Sequence, residues 1–443
     1  MKQLGGCTFG IKSVKHMNVL LLGSGGRESA LAWKMAQSPL LDQLFIAPGN
    51  PGMEAYGTCV GVDWKDRDAL SHFCTAENID LVVIGPEDPL VAGLADFFEE
   101  NAALSHIHVI GPKAAAAQLE GSKDFSKQFM ERNGIPTAAH KTFTADQLEE
   151  AKNYLTTIDA PYVLKADGLA AGKGVLILDN LADALREMDA MLGGKFGPAS
   201  SKVVVEEFLD GIEFSVFVLT DGQDYMLMPE AKDYKRIGEG DTGLNTGGMG
   251  AVSPVPFVDA AVKKEVLLNI IEPTIKGLKF EKMEYVGFIF FGLILTKKGV
   301  KVIEYNCRMG DPETEVVIPR VDEDLLPLFV DAAKKKLLTR PMAQSAHAAC
   351  TVMQVSGGYP EEYAKGFPID GLDRDVESTV VFQAGTSVKE GDIVTSGGRV
   401  LCATGMAPNA AQALERAYQR LDQITFEGAY RRNDIGVDLG LRG

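Results

Sequence analysis

K-A-D-G-L-A-A-G-K-G-V, residues 165–175, decides how the rest of the chain is read. An apolar run ends in Lys165, a glycine- and alanine-rich stretch carries Lys173, and a second apolar run, Val175–Leu178, returns. It is not a Walker A loop, because no glycine stands five residues before Gly172 and Gly174 replaces the required Ser or Thr. A plain β-hairpin would need only about two to five loop residues. Small residues let a backbone close over a polyphosphate while its N–H groups donate to oxygens. The stretch therefore predicts two strands joined by a phosphate-covering loop, within an α+β unit that spans 162–229 and holds one helix over about 180–192.

Upstream, short apolar runs at 18–22, 44–47, 81–84 and 107–110 alternate with helical spacing. Leu31 and Met35 fall at i,i+4. Asp66 leads into Leu70, Phe73 and Cys74, and Leu90 leads into Leu94 and Phe97 as one further helix. This alternation predicts a doubly wound parallel sheet, whose ligands sit beyond the carboxyl ends of the strands. Those ends carry Gly23-Ser24-Gly25-Gly26-Arg27-Glu28, Pro48-Gly49-Asn50-Pro51-Gly52 and Gly85-Pro86-Glu87. Glu28 stands where a dinucleotide fingerprint needs its third glycine, and no acidic residue closes the second strand, which argues against a nicotinamide cofactor. The cluster can still offer helix N-terminal amides to a phosphate.

Ser122 caps a helix with Phe125 and Phe129 at i,i+4, stopped by Gly134 and Pro136. The valines at 203–205 run into Glu206, Glu207 and Glu213, a strand leading to a hinge whose backbone and carboxylates suit adenine and ribose. Asp233-Tyr234-Lys235-Arg236 precedes five glycines within residues 240–250. Such a long glycine-rich stretch reads as a functional loop beside a basic pair. A strand pair follows at 285–295 and 300–306, with a long helix before it and another after it. On its second strand Glu304 and Asn306 share a face, and two oxygen donors at that spacing suit magnesium. Arg308 follows where negative charge could develop. Past residue 340 come strands near 347–355, 377–383 and 399–404, then a helix from Asn409 to about Ile424.

The net charge of −17 argues against nucleic-acid binding. Six cysteines without C-x-x-C spacing suit reduced thiols and a cytoplasmic location. The apolar run 286–295 is too short to span a membrane, for which about 20 residues are needed. Residues 1–16 resemble neither a signal nor a transit peptide. None of the six histidines forms H-E-x-x-H, so zinc hydrolysis has no support.

Taken in order, these motifs resemble the ATP-grasp superfamily, and within it the phosphoribosylamine–glycine ligases (glycinamide ribonucleotide synthetases). The resemblance rests on GSGGRE (23–28), the GPE turn (85–87), EGSKDFSKQFM (120–130), KADGLAAGKGV, EEFLDG (206–211), GDTGLNTGGMGAVSP (240–254) and EYNCRMGDPETE (304–315). It continues through SGGYP (356–360), FQAGT (382–386), GGRVL (397–401) and YRRNDIG (430–436). Ser29, Tyr234 and Gln383 stand where the family usually has histidine. The tail strings argue against another ATP-grasp ligase or a biotin-dependent carboxylase-like chain. Glu304 and Asn306 on one strand face argue against a non-catalytic sensor.

The resemblance implies an extension over 1–16, a Rossmann-like domain over 17–118, an ATP-grasp domain over 119–340 with a mobile lid about 137–210, and a small mixed β/α domain over 341–443. It implies ATP-dependent joining of glycine to 5-phosphoribosylamine through glycyl phosphate, by a monomer or small homo-oligomer. ATP would be held by Lys123, Lys165, Gly172, Lys173, Gly174, Glu206, Glu207, Leu209 and Glu213. Mg2+, with Mn2+ as a substitute, would sit on Glu304 and Asn306. Arg308, Lys235 and Asp311 would act in catalysis. Gly25, Gly26, Glu87, Asp233, Arg236, Asn245, Gly247, Pro312 and Glu313 would bind substrate. The glycine-rich segments at 168–174 and 240–250 would close to keep water off the acyl phosphate.

Overall fold

A computed structural model describes residues 16–169 and 174–442. Gly172, Lys173 and residues 1–15 lie outside the described residues. The first sheet contains β1 (Met17–Gly23), β2 (Leu41–Pro48), β3 (Thr58–Cys59), β4 (Ile79–Ile84) and β5 (His108–Ile110), in the order β3-β2-β1-β4-β5 and parallel throughout. The apolar runs are continuous because both faces are covered. Leu20 and Leu22 enter one core while Val19 and Leu21 enter another. The predicted helix through Leu90, Leu94 and Phe97 is instead two, Glu87–Val91 and Leu94–Glu100, broken where Gly93 takes φ +71°.

The second unit is an antiparallel sheet of β6 (His140–Thr144), β7 (Tyr162–Ala166), β8 (Val175–Leu178) and β9 (Lys202–Glu206), in the order β6-β9-β7-β8. The helix Leu181–Leu192 lies between β8 and β9 in sequence, capped by the Asn180 side chain accepting from the Asp183 N–H. Chain enters and leaves this sheet side by side, with the Glu207 amide donating to the Ala139 carbonyl at 2.8 Å.

The third sheet, β17-β16-β10-β11-β18, is built from β10 (Gly211–Thr220), β11 (Tyr225–Leu227), β16 (Gly287–Thr296), β17 (Gly299–Asn306) and β18 (Arg340–Pro341). Its strands again feed cores on both faces, Phe214 and Val216 to one, Phe217 and Leu219 to the other. The helix after it is interrupted, Thr314–Arg320 then Leu325–Ala333, with Pro319 near the break.

The last five-stranded sheet joins β12 (Lys232–Asp233) and β15 (Gly250–Ser253) to β19 (Ala348–Val355), β20 (Thr379–Gln383) and β23 (Arg399–Ala407), in the order β12-β15-β19-β23-β20. The C-terminal region thus shares a sheet with strands from either side of the glycine-rich stretch. That stretch is not an irregular loop. β13 (Arg236–Gly238) and β14 (Thr242–Asn245) pair antiparallel, and Gly240 and Gly243 adopt positive φ at and beyond the turn. A hairpin absent from the sequence reading, β21 (Thr386–Lys389) with β22 (Asp392–Thr395), follows FQAGT. The helix Ala410–Leu421 covers the sheet, burying Ala413, Leu414, Ala417, Tyr418 and Leu421 at helical spacing. Among the described residues no helix is long and apolar enough to cross a membrane.

Candidate active site

One cavity of about 1060 Å³ lies where the sheets meet. Most of the expected site residues line it: Lys123, Lys165, Gly174, Glu206, Glu207, Leu209 and Glu213; Glu87, Asp233, Lys235, Arg236, Asn245 and Gly247; Glu304, Asn306, Arg308, Asp311 and Glu313. Gly25, Gly26 and Pro312 do not appear on its wall. Arg27, Glu120, Lys127, Arg399 and Arg432 do, without having been anticipated.

On one side, Lys165 is the penultimate residue of β7 and is buried beside Glu206 at the end of β9. Its Nζ lies 2.9 Å from Glu206 Oε2, and the same oxygen receives Lys127 Nζ at 3.0 Å. Lys127 also donates to Thr137 Oγ1 at 2.7 Å. Burial, opposed by Glu206 and reinforced by Lys165, lowers the Lys127 pKa to about 8. Glu206 is thus committed to two lysines through one oxygen, which differs from a carboxylate free to hold ribose. Lys123, first residue of the helix Lys123–Arg132, donates through Nζ to the Gly168 carbonyl at 2.9 Å, so the chain leaving β7 is tied to that helix. Lys127 lies one helical turn after Lys123 within S-K-D-F-S-K, and that i,i+4 spacing was its sequence signal. The rim is apolar, with Ile177, Phe208 and Ile212 lining the cavity while substantially exposed.

On β17, strict alternation would keep Glu304 and Asn306 on the same face as Val300 and Val302, which is core. A bulge prevents this. Gly292 pairs with Glu304 while its neighbour Leu293 pairs with Val302, leaving Ile303 unmatched. After the bulge Tyr305 and Cys307 join Val300 and Val302 in the core, and Glu304 and Asn306 turn to the cavity. A carboxylate and an amide oxygen form a hard donor pair that fits a divalent cation taking its remaining ligands from phosphate and water. Among the described residues no group of three or more His, Cys, Asp or Glu is arranged to hold a metal.

Arg308 is forked between two carboxylates, Nε to Glu87 Oε2 at 3.1 Å and Nη2 to Glu120 Oε1 at 2.8 Å. Glu120 also accepts the Cys307 amide at 2.7 Å. Burial, only partly offset by Arg308, lifts the Glu120 carboxyl to about 7. Arg308 and Arg27 hold Glu87 below the usual carboxylate range against its burial. Lys235 Nζ reaches Glu213 Oε2 at 2.6 Å. Lys235 is raised well above the ordinary lysine value, since Asp233 and Glu213 outweigh burial. Burial and the nearby Asp233 charge push Glu313 up to about 8. A carboxyl titrating near neutrality can hold or release a proton under working conditions.

The first-sheet glycines are placed differently from expectation. The Gly25 amide donates to Glu28 Oε2 at 2.7 Å and the Arg27 amide to Asp311 Oδ2 at 3.4 Å. A Cβ on Gly26 would come within 2.2 Å of Glu315 Oε1. The helix N-terminus is therefore already capped by the chain's own carboxylates, and Arg27 is what this strand end shows to the cavity. Pro312 packs behind the wall, where a Cβ on Gly248 would meet its Cδ at 2.3 Å. Asp311 pairs with Arg399 Nη2 at 2.8 Å, which with Arg27 keeps its carboxyl below the ordinary value despite burial. Buried Glu315, facing Asp311, is raised well above its own.

The three positions without the usual histidine have defined partners. Ser29 Oγ donates to the Gln383 carbonyl at 2.5 Å, so two of them touch and tie the first sheet to the last. The Tyr234 hydroxyl donates to Asp438 at 2.6 Å, with Lys232 Nζ 3.8 Å from its ring centroid.

Comparison with known proteins matches this arrangement along nearly the whole described chain. Models of phosphoribosylglycinamide synthetase match as its N domain over residues 17–120, its ATP-grasp (A) domain over 121–314 and its C domain over 349–438. A phosphoribosylamine–glycine ligase of Pseudomonas aeruginosa is 47% identical over 426 residues, covering 95% of this chain and 97% of that protein. The crystal structure of the Thermotoga maritima phosphoribosylamine–glycine ligase superposes with a TM-score of 0.81 at 33% identity, covering 94% of this chain and 99% of that one. A biotin carboxylase from Campylobacter jejuni shares the fold at a TM-score of 0.72 and 16% identity, covering 94% and 93%.

Proposed function

Because the chain belongs to the phosphoribosylglycinamide synthetase family, its reaction is the ATP-dependent ligation of glycine to phosphoribosylamine in purine biosynthesis, and we propose that the two walls of one cavity divide that work. The observation that carries the division is the pairing of a buried lysine cluster at Glu206 with the bulge-directed Glu304 and Asn306 across the same cavity. Lys123 and Lys165 hold the phosphates, and Lys127 with Glu206 fixes the Lys165 ammonium. Adenine lies in the apolar slot by Phe208, Leu209 and Ile212, with Glu207 and Glu213 near the ribose. Enzymes of this fold use ATP with a divalent metal ion, and the Glu304–Asn306 pair fits Mg2+ or Mn2+, which would shield charge on the phosphate oxygens. The sheet β6–β9 is the mobile lid, hinged at Ala139 and Glu207.

A glycine carboxylate oxygen attacks the γ-phosphorus, the bond to the β-bridging oxygen breaks, and ADP leaves. Arg308 and Lys235 face the charge that develops on the transferring oxygens. The phosphoribosylamine nitrogen then attacks the carbonyl carbon of glycyl phosphate, and phosphate leaves as the amide forms. The amine proton passes to a carboxylate, and Glu313 in its ionised form, with a pKa raised to about 8, is a stronger base for it than Asp311. Asp311 instead anchors Arg399 and the Arg27 amide. Arg27 and Glu87 lie at the first-sheet end of the cavity, where the phosphoribosyl group is bound, with Asp233, Arg236, Asn245 and Gly247 completing the acceptor half. Free cysteines at all five described positions and the biosynthetic role support a cytoplasmic enzyme, working as a monomer or small homo-oligomer.

Glycine labelled with 18O in its carboxylate tests the intermediate. Transfer of one label to the released phosphate is the expected result. Unlabelled phosphate would mean that the carboxylate never attacked ATP.

A further inference from the structure

S-G-G-Y-P (356–360), G-G-R-V-L (397–401) and Y-R-R-N-D-I-G (430–436) are remote in sequence from Lys165 and Glu304, yet all three send side chains to one piece of cavity wall, residues 236–247. From the first, the Tyr359 hydroxyl accepts the Gly247 amide at 3.0 Å. From the second, Arg399 Nη1 donates to the carbonyls of Gly247 at 2.6 Å and Asp311 at 2.9 Å. The third contributes most. Tyr430 donates to the Ile237 carbonyl at 3.0 Å, Asn433 Nδ2 to Glu239 Oε1 at 3.0 Å, and Asp434 Oδ2 accepts the Gly240 amide at 2.7 Å. Arg432 Nη1 donates to the Arg236 carbonyl at 3.0 Å and lies 3.3 Å from Asp241 Oδ1.

Arg432 is 2% exposed. Its Nε and Nη2 each lie 2.8 Å from the Asp434 carboxylate, and its guanidinium stands 5.4 Å from the Tyr234 ring centroid. A buried guanidinium this fully matched fixes its partners in one geometry, because every alternative strands a charge. The wall it holds presents Arg236 and Asn245 to the cavity and continues from Lys235. The nucleotide half is held otherwise. Lys165 is held by Glu206, Lys123 is bonded to Gly168, and Glu207 by Lys301 and Ala139.

We propose that Arg432 and Arg399 are positioning residues that keep residues 236–247 as a preformed wall, so that the C-terminal region sets recognition of the acid and amine substrates and not of ATP. This rests on the assignment of that wall to the acceptor half. Steady-state kinetics of Arg432→Ala and Arg399→Ala, with each substrate varied in turn, test it. KM for glycine or phosphoribosylamine is expected to rise by about tenfold or more, the scale on which misplacement of a binding group acts. KM for ATP is expected to stay within about twofold. A fall in kcat with all three KM values unchanged would mean only less folded enzyme, and would overturn the proposal.

Should the arginine variants fail to fold, Tyr430→Phe combined with Asn433→Ala removes two exposed contacts to the same hairpin. Hydrogen exchange on the full chain should then quicken at residues 237–247, together with a rise in the acceptor KM. Unchanged exchange and unchanged KM would overturn the proposal. A wild-type chain without glycine-dependent ADP release would instead refute the reaction, while the exchange arm would still report on the wall.

Discussion

Two glycine-rich segments border the same cavity, 165–175 and 236–250, and their described contacts come from different parts of the chain. The first is described at its two ends, residues 165–169 and 174–175. The Ala166 amide donates to the Gly174 carbonyl at 2.8 Å, and Lys123 reaches the Gly168 carbonyl, all within residues 123–174. The second is a hairpin bonded along its length by residues from the last hundred positions of the chain, Tyr359, Arg399, Tyr430 and Arg432 among them. Both read alike in sequence, because glycine signals backbone freedom and says nothing of what takes that freedom away. The contacts of the second segment make it a surface held from the C-terminal region, while the proposed work of the first is to cover a phosphate.

The sharpest way to break this contrast is to add one methyl group to each segment. Gly248 sits at φ +118° with Pro312 Cδ 2.3 Å from its would-be Cβ, whereas Gly168 at φ +111° would meet Ala199 at 3.4 Å. Gly248→Ala must displace Pro312 and the adjoining Asp311, and turnover is expected to fall by about a hundredfold. Gly168→Ala bears mainly backbone strain of about 1–2 kcal/mol, and a fall of about tenfold is expected. Equal losses in kcat would show that the two segments are not held differently.

Next in size are Lys165→Ala and Glu304→Ala, on opposite walls, each expected to cost at least about tenfold in turnover from lost positioning and charge stabilisation. They should separate on metal titration, with only Glu304→Ala needing more divalent ion for half-maximal rate. Full activity in both variants would remove the site assignment.

Glu313 gives a smaller effect with a fixed sign. Its carboxyl titrates at about 8 in the fold against an ordinary 4.5. The folded chain holds that proton more tightly, so the contribution to stability is complete below pH 4.5 and is lost as pH rises through about 8. Glu313→Gln cannot ionise and avoids the loss. The Tm of the variant relative to wild type should therefore climb between about pH 5 and pH 9. A difference independent of pH would show that Glu313 is not a buried, proton-holding group. Smallest of all, Lys301→Ala removes a partly exposed pair with Glu207 and should change stability by under about 1 kcal/mol by denaturant titration.

The first sheet was legible because runs such as residues 19–22 need to be apolar on both faces, and parallel strands leave that record in consecutive residues. The Lys165 turn and the Glu304–Asn306 pair were legible as spacings, although the reason the pair escapes the core was not. A bulge at Ile303 changes the face of every later residue, and no residue type announces it. Glu206 read as a nucleotide ligand because its two lysines come from β7 and a separate helix. Gly25 and Gly26 read as a phosphate cradle because Asp311 and Glu315, which occupy that end, lie almost three hundred residues away in sequence. Arg399 and Arg432 were visible in their strings, but what they hold is fixed only when the last sheet recruits β12 and β15.

Joining glycine to phosphoribosylamine at the expense of ATP is the reaction of this chain's family. Its most direct test is ADP release by the wild-type chain with Mg2+, with glycine and in-situ phosphoribosylamine supplied together and each left out in turn. Release requiring both, accompanied by a product of the mass of glycinamide ribonucleotide, is the predicted result. Release sustained by a different acid or amine, or none under any combination, would contradict it.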